Sequence, residues 1–272
     1  AVVEGLVEIL HGQQRVTTIV QYFDGTLSLP QTVRPYSLLT KEEKDEFLNY
    51  DVAVRDLGSI SPEDIIEVFK RINATKYSLN EIEINNAIYT GELMRLAEGL
   101  TSHPFFEDHR VFTPTDLKRM GDTRFVLQVI ITMMSGYFNR DDNFEEFLGA
   151  YNDSFEARDE IVTRLSHVFS FIEECGFPAK GRIWKKSDFF SAVIEIDRAF
   201  SDKVDLQPSK VLETLQSFYR KVDEEGMESP DPAVSTYYKA AVQASNDKGN
   251  RIRRGEIIHD LLRGIQPVAR LI

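Results

Sequence analysis

The chain has 272 residues, 42% of them hydrophobic and 28% charged, with a net charge of −12. This is enough apolar material for a globular core, yet no apolar run nears the roughly 18 residues that span a bilayer, so no membrane partner is expected. The acidic balance excludes a broad DNA-coating surface but leaves room for a local basic groove, and the single cysteine, Cys175, excludes an internal disulfide and fits a reducing cytoplasm.

The first stretch, Val2 to Leu10, is an apolar run that predicts a buried strand. It opens without an initiator Met, which points to a preceding segment that is missing. His11-Gly12-Gln13-Gln14-Arg15 follows, and then Val16, Ile19, Val20 and Phe23 recur at helical spacing up to Asp24-Gly25. Gly12 permits a tight turn. The backbone N–H groups after it would start a helix, whose positive end favours anions such as phosphate. Arg15 adds a planar fork suited to phosphate oxygens, and Gln13 and Gln14 both donate and accept. A plain surface connection has the same spacing.

Leu39-Thr40-Lys41-Glu42-Glu43 predicts a capped helix start running to about Tyr50. Asp51 to Leu57 alternates apolar and polar residues and predicts a second strand. Ser61-Pro62-Glu63-Asp64 opens a helix with buried face Ile65, Ile66, Val68, Phe69 and Ile72. Asn80 with Glu83 caps another, from Glu81 to about Leu100, which carries the polar pair Asn85 and Asn86. Beyond Thr101 the expectation is helical throughout. Leu117 to Phe138 is the central helix, followed by helices over Asp141 to Tyr151, Phe155 to Cys175, Lys185 to Phe200, Pro208 to Glu224, Pro232 to Ala244 and Arg251 to Leu271. The predicted class is therefore α+β, mostly α, with a small α/β core over residues 1–100 and a helical domain over 101–272.

Lys180, Arg182, Trp184, Lys185 and Lys186 form the densest basic–aromatic cluster and are the nucleic-acid-binding candidates, since cations meet phosphates and an indole stacks on bases. A solvated basic loop has the same composition. Lys248, Arg251, Arg253 and Arg254 form a second basic patch. No metal site is expected, because the five histidines are scattered and show no Cys/His spacing pattern. A P-loop, a Ser-His-Asp order and an H-N-H-type nuclease motif are also missing from the sequence.

The string around Gly12 resembles the DGQQR motif of the GmrSD-type family, the N-terminal domains of modification-dependent restriction enzymes and related phage-defence proteins. Val68-Phe69-Lys70-Arg71-Ile72-Asn73, then Ser78-Leu79-Asn80-Glu81-Ile82-Glu83, resembles the F-x-R-I-N … L-N-x-x-E block of that family. The resemblance implies a ParB/sulfiredoxin-like core with a helical extension. It implies a nucleoside triphosphate, with magnesium as an option, held by Gly12, Gln13, Gln14, Arg15, Arg71 and Asn73. It also implies a nucleotide-binding, NTP-hydrolysing or DNA-cleaving component of a restriction or phage-defence system. The partners implied are DNA, modified DNA included, a nuclease subunit and further copies of the chain. His11 and Arg15 are the catalytic candidates, Arg15 as the group that stabilises phosphate charge. His11 stands where the family motif has Asp. Histidine is a poor magnesium ligand, so the change leaves nucleotide binding intact and puts magnesium-assisted hydrolysis in question. The other reading is a non-enzymatic regulatory subunit that binds DNA or protein.

Overall fold

The structure, a computed structural model, describes residues 2–3, 6–7, 9, 12–30, 32–58, 61, 64–65, 67–68 and 79–268. They fall into two compact units, residues 1–79 and 80–272. The division lies about twenty residues before the boundary expected near residue 100, so the helix that starts at Glu81 belongs to the second unit.

The α/β core expected for the first unit is not found among the described residues. In place of one strand over Val2 to Leu10 there are two two-residue strands, β1 (Val2–Val3) and β2 (Leu6–Val7), paired antiparallel with Val2 opposite Val7. Glu4-Gly5, which breaks the apolar run, separates them in the sequence. The second expected strand is absent. Residues 51–58 have no regular structure, and Val52 and Val54 are 57% and 86% exposed. Alternation describes one face of a strand but does not supply the neighbour whose backbone must pair with it. Among the described residues the fold is all-α apart from this short hairpin.

Helix α1 (Gln13–Asp24) is the helix expected after Gly12, and it ends at Gly25 in the left-handed conformation. A 3-10 turn, Tyr36–Leu38, precedes α2 (Lys41–Leu48). Thr40 and Glu43 close the predicted capping box at the start of α2. Tyr22, Phe23, Tyr36 and Phe47 gather their rings between these pieces, at centroid separations of 4.8 to 6.1 Å. Ser61 Oγ accepts from the Asp64 N–H, as expected of a cap, and residues 64–65 and 67–68 are helical. Among residues 9, 12–30, 32–58, 61, 64–65, 67–68 and 79, none is fully buried.

The second unit holds the core. Its helices are α3 (Glu81–Ile88), α4 (Glu92–Thr101), α5 (Pro104–Asp108), α6 (Pro114–Lys118), α7 (Gly121–Ser135), α8 (Phe144–Ala150), α9 (Arg158–Cys175), α10 (Lys186–Ser201), α11 (Pro208–Glu225), α12 (Pro232–Val242) and α13 (Lys248–Leu262). Helix α7 is central: Leu127, Ile130 and Ile131 are fully buried, and α4, α6 and α10 pack on it. Phe105, Phe169, Phe189 and Phe125 run through the core as a stack, with 4.6 Å between the first two centroids and 5.7 Å between the last two. Helix α10 packs along α13, and α13 along α12.

Two predicted helices are each broken in two. The one over Glu81 to Leu100 breaks at Gly91, where the chain lies against Asn152 so closely that an added Cβ would come within 1.9 Å of its carbonyl oxygen. The Glu92 and Leu93 N–H groups donate to the Asn152 and Tyr151 carbonyls, replacing the helical bonds lost at the break. The other, over Leu117 to Phe138, breaks at Met120, which has φ of 53°. Among the described residues no helix is long and apolar enough to cross a membrane.

Candidate functional site

The start of α1 is built from Gly12 outward. Gly12 has φ of 89° and ψ of 6°, a left-handed conformation that strains any residue with a side chain. It offers no capping side chain, and the first turn carries no acid. The first helical bond runs from the Val16 N–H to the Gly12 carbonyl, so the N–H groups of Gln13, Gln14 and Arg15 have no acceptor within the helix. Arg15 folds back over this end: a Cβ on Gly12 would lie 3.2 Å from its Nη2. Gln13, Gln14 and Arg15 are all exposed. A positive helix end, outward N–H groups and a guanidinium therefore share one place, an arrangement suited to an oxyanion. The remaining residues of the expected site, His11, Arg71 and Asn73, lie outside the described residues. No group of three or more His, Cys, Asp or Glu that could hold a metal ion occurs among the described residues.

The basic–aromatic cluster does not form one exposed surface. Trp184 is 8% exposed; His109 covers one face at 3.9 Å, nearly parallel, and the indole Nε1 donates to the Pro178 carbonyl at 2.9 Å. A base would have to displace His109 to stack there. Arg182 is buried between two carboxylates, with Nε 3.1 Å from Asp188 and Nη1 2.5 Å from Asp223. Lys185 pairs with the same Asp223, at 3.2 Å, and Lys186 pairs with Asp116. Lys180 is exposed and, among the described residues, has no partner.

Burial sets the electrostatics of this region. It pushes the Asp188 carboxyl above its usual range, and Arg182 opposes the shift. At Asp223 partial burial acts in the same direction, but the hydrogen bonds from Arg182 and Lys185 outweigh it and hold the carboxyl below the usual range. Tyr219 and Tyr237 are fully buried beside Asp188, and burial followed by that charge pushes both phenols up. The residues that give Arg182 its role, Asp188 and Asp223, were not singled out in the sequence. One signal was present: Asp188, Ala192, Glu195 and Ala199 share one side of α10, so two acids fall on its buried stripe.

The second basic patch is also dispersed. Arg251 and Arg254 are 0% and 1% exposed. Arg251 donates to the Phe138 carbonyl at 2.9 Å and lies over the Phe138 and Phe190 rings, each 4.9 Å away. Burial pushes its guanidinium down to about 10, still cationic at neutral pH. Arg254 donates to Ser191 Oγ and to the Ala240 and Ser245 carbonyls, tying the end of α12 to α10 and α13. Asn85 is buried in α3, Asn86 reaches Met120 Sδ at 3.6 Å, and Asn80 and Glu83 form the predicted capping box.

Loop residues 177–183 and one side of α11 enclose an open cleft of about 660 Å³. Arg182 and Tyr219 contribute to its lining, with Lys180 on the loop and Glu213, Gln216, Ser217, Arg220 and Glu224 on the helix. Comparison of the chain with family models, with characterised proteins and with solved structures finds no match.

Proposed function

We propose that the chain binds a nucleoside triphosphate through its phosphates at the start of α1, as the nucleotide-binding component of a modification-dependent restriction or phage-defence system acting on DNA or through a partner nuclease. The observation that carries the reading is the uncapped helix end at Gly12 with the Arg15 guanidinium folded over it. The dipole and the N–H groups favour a phosphate oxygen from below, and the guanidinium from above. The resemblance of residues 11–15 to the DGQQR motif supplies the system in which such a site would act.

For the reaction, the described surroundings of Gly12 offer positive charge and amide groups but no carboxylate in the first turn. A magnesium ion prefers oxygen ligands, carboxylates above all. The described donors do not make such a set, and no step is assigned to the metal. The second reading, a regulatory subunit that binds nucleotide without turning it over, is separated from the first by experiment.

The test is thermal unfolding of the full chain with ATP, GTP and CTP, each with and without magnesium, beside Arg15→Ala. A nucleotide at 100 times its dissociation constant stabilises a fold by about 2.7 kcal/mol. The expected result is a raised Tm with at least one nucleotide, lost in Arg15→Ala. If no nucleotide moves the Tm, the reading is wrong. Phosphate release by the parent, with His11→Asp and His11→Ala alongside, separates the enzyme from the binder.

A further inference from the structure

The cleft between residues 177–183 and α11 is lined by charges of both signs. Arg182 and Asp223 are engaged with one another and with Asp188 and Lys185. Four others have no partner among the described residues: Lys180 on the loop, and Glu213, Arg220 and Glu224 on the helix. Unpaired cations and anions facing one cleft of this size are a recognition pattern awaiting its complement.

The order of the helix charges defines that complement. Glu213, Arg220 and Glu224 line the cleft from the same helix. At 1.5 Å per residue, Arg220 stands about 10 Å from Glu213 and about 6 Å from Glu224 along the axis. The wall therefore reads negative, then polar at Gln216 and Ser217, then positive, then negative. An extended polypeptide advances about 3.3 Å per residue and turns alternate side chains to opposite faces, so side chains on one face recur about every 6.6 Å. The shorter interval therefore matches two residues, and the longer, with the difference taken up by a long basic side chain, about four. A basic residue, three spacers, an acid, one spacer and a second basic residue put all three charged side chains on the face that meets the wall, in its order. A nucleic-acid backbone carries only negative charge and would meet Glu213, Glu224 and Asp223 unfavourably, and the one tryptophan is buried against His109.

We propose that this cleft is a docking site for an extended segment of a protein partner, with an acidic side chain set against Arg220 between two basic side chains set against Glu213 and Glu224. The site is independent of nucleotide binding at α1.

The experiment is fluorescence anisotropy with the full chain and two labelled heptapeptides, Lys-Ser-Ser-Ser-Glu-Ser-Lys and Lys-Ser-Ser-Ser-Lys-Ser-Lys, against the parent and Arg220→Glu. Residue 220 is exposed, so the variant keeps the fold, and circular dichroism confirms this. The parent is expected to prefer the peptide with the central acid, and Arg220→Glu to weaken that peptide about tenfold and reverse the preference. The proposal fails if neither peptide binds the parent up to about 1 mM, or if parent and variant keep the same preference. It fails equally if a labelled thymidine hexanucleotide binds the parent, loses binding in Arg220→Glu, and displaces the peptide.

Discussion

Gly91 and Gly255 are positions where the helical unit has no room for a side chain. A Cβ on Gly91 would meet the Asn152 carbonyl oxygen at 1.9 Å, and one on Gly255 would meet Tyr137 Oη at 2.3 Å and Glu195 Oε1 at 2.8 Å. Gly99, within α4, meets nothing within 4 Å. Alanine is the better helix former by about 1 kcal/mol, so Gly99→Ala should stabilise the protein by up to that amount. Gly91→Ala and Gly255→Ala should instead each cost about 1–3 kcal/mol, because the obstruction is a backbone atom in one case and a buried hydrogen-bonded pair in the other. Urea unfolding midpoints for the three variants check the sign. Glu195, beside Gly255, makes a pH prediction. It is 1% exposed, and burial holds its carboxyl above the ordinary value near 4.5 despite the charge of Arg198 and the Tyr137 hydroxyl. Between the ordinary and the raised value the folded chain binds a proton that the unfolded chain does not. The contribution of Glu195 to stability therefore grows as pH falls from neutral through the raised value toward about 4.5, and levels off below it. Relative to Glu195→Gln, the parent should gain stability as the pH falls from neutral toward 4.5. Parallel pH profiles for the two proteins would contradict this.

Helix starts were the most legible elements, because a cap is a local hydrogen-bond pattern written in adjacent residues. The Thr40–Glu43 and Asn80–Glu83 boxes both stand as expected. The breaks at Gly91 and Met120 were not legible, since the apolar period continues across both and the cause at Gly91 is a contact with Asn152, sixty-one residues away. The strand expected over Asp51 to Leu57 failed for want of a partner strand, which no single segment encodes. The candidate sites divide along the same line. The turn at Gly12 and the helix after it were readable from neighbouring residues, whereas the burial of Arg182 depends on Asp223, forty-one residues on. At the entry to α10, the Arg182–Asp188 pair is almost wholly withdrawn from water. Removing one partner of such a pair typically costs about 3–5 kcal/mol, because the other charge stays buried and alone. Arg182→Met should show a loss of this size. The double variant Arg182→Met with Asp188→Asn should recover a large part of it, since no charge is then stranded; with Asp188→Asn alone measured as well, the departure of the double variant from the sum of the two single effects is the coupling energy of the pair. Additive losses in a denaturant double-mutant cycle would mean that Asp188 draws its compensation elsewhere.

Across the whole molecule, the apolar core and the proposed nucleotide site lie in different units. Among the described residues, every buried member of the core cluster lies at or beyond Ile82. The described residues of the first unit contribute a hairpin, helices α1 and α2, helical residues at 64–65 and 67–68, a 3-10 turn and a half-exposed aromatic cluster, and Val16, Ile19, Val20 and Phe23 on α1 are each more than 40% exposed. Burial of apolar surface is the main favourable term in folding, at about 25 cal/mol per Å², and it must offset the entropy of ordering every residue. The second unit meets that condition with its own side chains, while the described part of the first does not. A fragment of residues 80–272 should therefore unfold cooperatively in urea, with a midpoint close to that of the main transition of the full chain. A fragment of residues 1–79 should show no cooperative transition by circular dichroism. A molten or aggregated 80–272 fragment would show that the helical unit depends on the first for its core. A cooperative 1–79 fragment would show that the first unit closes a core of its own. If the fragments behave as expected, the nucleotide test gains a sharper form. Phosphate bound at α1 would then act on the marginal unit, where a few kcal/mol is comparable with its whole stability, and binding could order that unit without changing the packing of the other. Nucleotide should in that case protect amides before Asn80 from hydrogen exchange and leave those of α7 and α10 unchanged. Equal protection in both units would place the effect of the ligand in the helical core.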